Sequence, residues 1–237
     1  MTYLGKIGEL SLKGANKQEF ENLLVHNVRD CLSGKNVKIK LIAGRLYIDC
    51  EECDSKAVEF TLSHLLGITG WALTKTCEND IEEITKTVYA VAEEAHKNGA
   101  KTFKIDSRRA YKTFPLNSYQ INCETAGPVE ALMKVDVHNP DVTIYVELRE
   151  KTYVYTDANV GCRGLPVGSS GKGLLLLSGG LDSPVAGYRM LRRGMKIASC
   201  YFHSYPYTSE EAKQKVVTLG QKLAYYGIKT YLNIIPF

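Results

Sequence analysis

Leu174-Leu175-Leu176-Leu177-Ser178-Gly179-Gly180-Leu181-Asp182-Ser183-Pro184 decides the fold: an apolar run, a Ser-Gly-Gly bend, then a pattern that opens a helix. Four consecutive leucines read as a buried strand of a parallel sheet. Ser183 suits an N-cap and Pro184 carries the backbone angle favoured at a first helical position, so the helix is expected over 183–193. The unpaired N–H groups at that helix start, with the loop amides, make a place for phosphate oxygens. Gly179 and Gly180 let the backbone approach an anion without a Cβ, and permit positive φ. The hydroxyls of Ser178 and Ser183 can donate to phosphate. Asp182 cannot meet phosphate favourably by itself, so it is expected to hold Mg²⁺ or to accept loop amides.

Outward from this stretch, a strand (Ile197–Phe202), a helix (Ser209–Tyr226) and a strand (Thr230–Ile235) follow. That order is the opening of a doubly wound parallel sheet. Three strands make half such a domain and no helix covers the third, so the chain reads as a fragment. Ahead of it, Gly161–Gly173 has five Gly and one Pro in thirteen residues and is the best domain boundary. A Walker loop within Gly168-Ser169-Ser170-Gly171-Lys172-Gly173 fails, because Pro166 stands where its first Gly belongs and Gly173 where Ser or Thr belongs.

Further toward the N-terminus, Tyr3–Leu10 is strand-like. Phe20, Leu23, Leu24, Val28 and Cys31 recur at helical spacing, with Asn16 as N-cap and Gly34 as stop. Val37–Ile42 and Arg45–Asp49 alternate around Ala43-Gly44, a hairpin. Helical periodicity returns in Ser55–Leu66 and Asp80–Asn98. Thr102–Ser107 is a strand, Leu116–Val135 is helical around an interruption at Gly127-Pro128, and Val142–Glu150 and Tyr153–Asn159 are strands. The fold class is therefore α/β and α+β multidomain: residues 1–53, residues 54–158, a linker over 159–173, and an incomplete parallel-sheet domain over 174–237.

The 237 residues are 44% hydrophobic and 24% charged, as in a globular protein. No apolar run is long enough for a bilayer and the first ten residues carry charges without a cleavage site, so a cytoplasmic location and no membrane partner are expected. Net charge is only +4, but residues 167–237 hold nine basic and three acidic side chains, a surplus that suits an anionic partner. Seven cysteines at irregular spacing argue against a disulfide framework. The single CxxC pair, Cys50 and Cys53, has no second pair at zinc spacing and precedes acidic residues, so metal or redox use is not assigned to it. No residue set forms a metal site of its own.

Ser-Gly-Gly-x-Asp-Ser after a buried strand resembles the PP-loop of the ATP-pyrophosphatase superfamily, enzymes that split ATP to AMP and pyrophosphate. Other segments narrow the choice: 9–17 (Glu-Leu-Ser-Leu-Lys-Gly-Ala-Asn-Lys), 103–106 (Phe-Lys-Ile-Asp), 108–115 (Arg-Arg-Ala-Tyr-Lys-Thr-Phe-Pro), 135–142 (Val-Asp-Val-His-Asn-Pro-Asp-Val), 164–168 (Gly-Leu-Pro-Val-Gly) and 202–209 (Phe-His-Ser-Tyr-Pro-Tyr-Thr-Ser). Together they are similar to the tRNA 4-thiouridine synthetase family (tRNA uracil 4-sulfurtransferase, ThiI family), from about Ile7 to Phe237. The resemblance implies an N-terminal ferredoxin-like domain, a THUMP RNA-binding domain and a PP-loop domain.

It further implies ATP contacts at Leu176, Leu177, Ser178, Gly179, Gly180, Asp182, Ser183, Tyr201 and Phe202, with Asp182 catalytic. The basic run 101–112, with Phe103 and Tyr111 interleaved, suits phosphate contacts with a structured RNA. Lys104, Arg108, Arg109 and Lys112 are its tRNA-binding candidates, joined by Lys13 and Lys17, the latter standing where the family often has Arg. The implied cofactors are ATP and Mg²⁺. The implied partners are tRNA and a cysteine desulfurase that donates persulfide, with a sulfur-carrier protein of thiamine synthesis in some lineages; homodimer formation is left open. None of the seven cysteines matches the family's sulfur-accepting cysteine, which is expected beyond Phe237. The expected reaction adenylates the C4 oxygen of a tRNA uridine and replaces it with sulfur. The alternatives are a truncated, non-catalytic tRNA-binding module and an ATP-pyrophosphatase acting on a small molecule.

Overall fold

The computed structural model describes residues 1–8, 16–110, 113–156, 159–204 and 206–236. Along it run β1 (Thr2–Ile7), α1 (Lys17–Cys31), β2 (Val37–Ile42), β3 (Arg45–Cys50), α2 (Ser55–His64), β4 (Ile68–Cys77), α3 (Ile81–Lys97), β5 (Thr102–Arg109) and α4 (Ser118–Val129). Then come β6 (Lys134–Val135), β7 (Val142–Leu148), β8 (Thr152–Tyr155), β9 (Asn159–Val160), β10 (Lys172–Leu176), α5 (Asp182–Arg192), β11 (Lys196–His203), α6 (Glu210–Gly227) and β12 (Leu232–Pro236). Contacts divide the chain into two compact units: Met1–Leu4 with Ala72–Asn159, and Gly5–Trp71 with Val160–Phe237.

In the first unit β5 runs parallel to β7, with Phe103 opposite Val142 and Arg109 opposite Leu148. β7 pairs antiparallel with β8, whose other neighbour is the end of β4, and β6 adds to the far edge of β5. α3 starts where it does because the Asp80 carboxylate accepts the N–H groups of Glu82 and Glu83, two donors a helix start leaves orphaned. α4 opens with a capping box between Asn117 and Gln120. It runs through Gly127-Pro128 to Val129, so the expected interruption is absent. The missing proline N–H falls in the last turn, and the preceding glycine has no Cβ to clash with the ring. Ile84, Val88 and Ala92 of α3 and Ile121 of α4 bury against Phe103, Ile144 and Val146 of the sheet.

In the second unit β2 and β3 form the anticipated hairpin, Val37 opposite Cys50 and Ile42 opposite Arg45. Its bend places both Ala43 (φ 46°) and Gly44 (φ 74°) in the left-handed region, which matches the twist of paired strands. β4 was not legible in the sequence. Its first residues are covered on both faces, so the alternation that marks a half-exposed strand is missing. The segment 161–171 is no loose connection. Arg163 N–H donates to Ile68 O at 2.8 Å, Leu165 N–H to Arg192 O at 3.0 Å and Gly168 N–H to Gly194 O at 2.8 Å. Buried Asn27 of α1 holds the same strap through the Val167 carbonyl at 3.1 Å.

β10, β11 and β12 form a parallel sheet in that order, Leu176 opposite Cys200 and Phe202 opposite Ile235. Leu191 of α5 and Val216 and Leu223 of α6 pack with Leu177, Ile197 and Tyr201 on one face. The strand of four leucines is therefore not buried throughout. Leu174 and Leu176 point to the other face and are 66% and 63% exposed, with half-exposed Phe202 and Ile235 beside them.

Candidate functional site

β10 ends at Leu176 and α5 begins at Asp182, so Ser178–Leu181 is a loop at the carboxyl end of a parallel strand, where open α/β sheets present ligand sites. The helix starts one residue earlier than expected: Leu181 holds the cap position without a side-chain bond and Ser183 lies inside the first turn. The Ser183 hydroxyl instead turns back. It accepts the Ser178 N–H at 3.0 Å and lies 3.1 Å from Ser178 Oγ and 3.3 Å from the Ser178 carbonyl. Gly180 N–H adds a long 3.4 Å contact to Ser178 Oγ. These bonds close the loop on itself across its mouth.

Neither Gly179 nor Gly180 uses positive φ. Their contribution is space: a Cβ at 179 would meet only Lys215 Cδ, at 3.6 Å, and one at 180 only Ser178 Oγ, at 3.6 Å. Side chains there would fill a cradle bordered by backbone amides. Asp182 is exposed in the first turn and takes no hydrogen bond or ion pair among the described residues.

The flanking candidates divide by strand parity. Leu177 (2% exposed) and Tyr201 (8%) belong to the helix-covered core, whereas Leu176 and Phe202 lie on the open face. Each pair shares a surface, and the two pairs do not share one. His203, not assigned from sequence, follows on Tyr201's face at the end of β11, with ring centroids 6.0 Å apart. It is buried, its Nδ1 has no partner among the described residues, and its Nε2 lies 3.8 Å from Glu210. The signal available was its place two residues beyond Tyr201 on the same strand.

No group of three or more His, Cys, Asp or Glu side chains among the described residues is arranged to hold a metal ion. All seven cysteines are free thiols. Burial, reinforced by the Asp30 carboxylate, pushes Cys31 up to about 11, and burial also raises Cys50, Cys77 and Cys162. Raised values oppose thiolate formation at these four thiols.

The RNA-binding candidates are spread more widely. Lys13 and Lys112 lie outside the described residues. Lys17 makes a 3.6 Å ion pair with Glu21. On β5, Lys104 and Arg108 share a face, Lys104 donating to the Val137 carbonyl at 3.3 Å and Arg108 meeting Asp106 at 3.4 Å. Arg109 points to the opposite face and donates to the Phe114 carbonyl at 3.0 Å. Phe103 is fully buried in the core, so the reading of it as an aromatic interleaved for RNA is corrected. The 135–142 segment has a local use: Asp136 accepts the N–H groups of His138 and Asn139, and Asp141 those of Lys101 and Thr102.

Among the described residues no helix is long and apolar enough to cross a membrane. The ThiI ferredoxin-like domain model matches residues 2–72, the THUMP domain model 78–157, and the model of the thiamine biosynthesis protein (ThiI) 168–237. A probable tRNA sulfurtransferase of Treponema pallidum (strain Nichols) is 47% identical over 98% of this chain and 59% of its own length. One from Caldanaerobacter subterraneus subsp. tengcongensis is 43% identical over 98% of this chain and 61% of its own. The chain thus spans about three fifths of these curated relatives. A crystal structure of a 4-thiouridine synthetase–RNA complex with bound ATP superposes with a TM-score of 0.88 at 35% identity, covering 99% of this chain and 61% of that one.

Proposed function

Because this chain belongs to the ThiI family, we propose that it contributes tRNA binding and ATP binding to a sulfurtransferase that makes 4-thiouridine. The observation that carries this reading is the loop between β10 and α5: closed by Ser183, open above Gly179 and Gly180, and placed at the start of a helix. Oriented backbone amides and the positive end of a helix hold phosphate oxygens and stabilise charge on a leaving pyrophosphate. In the reaction the C4 oxygen of a uridine attacks the α-phosphorus of ATP and pyrophosphate departs. The terminal sulfur of a persulfide, delivered by a cysteine desulfurase, then attacks C4, AMP leaves with the oxygen, and a second thiol cleaves the S–S bond to the carrier, giving 4-thiouridine and a disulfide. Leu176 and Phe202 would wall the nucleotide on the open face, while Leu177 and Tyr201, packed in the core, would offer it their backbone at the strand ends.

Mg²⁺ fits a modest arrangement: one free carboxylate, Asp182, with the remaining ligands coming from phosphates and water. Bound there, the ion would neutralise charge on the polyphosphate. Lys104 and Arg108, with Lys13, Lys17 and Lys112, would position tRNA through its phosphates, while Arg109 braces the strand end. In the domain division proposed, 1–53 and 54–158 grip the RNA and 174–237 takes the nucleotide. Sulfur supply to thiamine synthesis is a further use of the same chemistry.

Release of pyrophosphate from ATP, dependent on tRNA and abolished by Asp182→Ala with tRNA affinity kept, is the expected result. Nucleotide binding away from the loop, or equal loss of both properties, overturns the reading. A second reading is tRNA binding without chemistry in this chain. It predicts unchanged tRNA affinity and no pyrophosphate with or without tRNA.

A further inference from the structure

The loop from Ser178 to Ser183 contains no cation, and Asp182 adds a negative charge to it. A polyphosphate tail seated there needs positive charge from another element. α6 begins at the same sheet edge, after β11, and carries its Lys215 stem across the open side of Gly179, where Lys215 Cδ is the atom a Cβ would meet. Beyond Cδ the chain has two more atoms, ending in the ammonium group.

Neighbouring Lys213 is already engaged, 3.1 Å from Glu210. Lys215 is exposed and has no ion pair among the described residues. An ammonium on a flexible stem acts on phosphate as a mobile point charge. A stem beside a residue without a side chain can lay its methylenes along the backbone and swing its ammonium toward the loop.

We propose that Lys215 is a phosphate-binding residue of this site, closing the cradle above Gly179 from α6 and supplying the charge that the loop lacks. The proposal rests on the assignment of ATP to the loop and adds a residue to it, far off in sequence.

Titration of the full chain with a non-hydrolysable ATP analogue, and separately with adenosine, tests it. Lys215→Ala is expected to weaken the analogue about ten- to hundredfold, as loss of a charge-assisted hydrogen bond does, and to leave adenosine unaffected. Lys215→Arg should restore most of the affinity, and Lys213→Ala should change little. Equal analogue affinity in wild type and Lys215→Ala overturns the role of Lys215 while leaving the loop assignment standing. Parallel loss of adenosine affinity overturns it too, since the effect would then not be on phosphate. No analogue binding by the wild type overturns the loop assignment and the proposal together.

Discussion

At Gly164 the backbone takes φ +77° beside the Arg192 carbonyl, which a Cβ would strike. Gly164→Ala therefore meets a disfavoured conformation and a backbone collision at once. A loss of about 1–3 kcal/mol is expected, read as a lowered thermal midpoint with secondary structure retained. An unchanged midpoint would mean that the strap is held elsewhere. Ser183→Ala tests a different kind of residue. It leaves the Ser178 N–H without its acceptor but on an exposed loop, so stability should hardly move while affinity for the ATP analogue falls. The sequence pointed to Ser183 by residue type but not to its action, because capping is inferred from spacing and the hydroxyl bonds backward instead. Lys215 gave no sign at all, since only the fold brings α6 over Gly179.

Elements whose own residues specify them were legible. The β2–β3 hairpin needs only strand alternation and a bend that tolerates positive φ. α3 carries its cap at Asp80, acids in its first turn and bases in its last. β4 escaped because tertiary packing covers both its faces at the start. The β5–β7 edge invites a pH test. Backbone N–H bonds hold the carboxyls of Asp136 and Asp141 below the usual carboxylate range. A lowered folded value means stabilisation that is present above the unfolded pKa and lost as pH falls through the folded one. The thermal midpoints of wild type and Asp141→Asn should thus lie apart at neutral pH and converge on acidification below the usual aspartate range. A gap independent of pH would assign the bonds no electrostatic share.

For the whole molecule, composition located the basic surplus in residues 167–237 but could not say which face it serves. The RNA candidates are better separated by strand parity. Lys104→Ala with Arg108→Ala should lower tRNA affinity and flatten its dependence on salt, as loss of phosphate contacts does. Arg109→Ala should instead act on stability through the Phe114 carbonyl; equal salt slopes for all variants would remove the β5 face from the interface. One consequence of the three-stranded sheet reaches the laboratory bench. Leu174, Leu176, Phe202 and Ile235 form a stripe that water wets poorly, and such stripes seek one another out. Dilution, mild detergent or a Leu174→Lys exchange should therefore decide whether a preparation stays clear or scatters light, long before any assay of its chemistry begins.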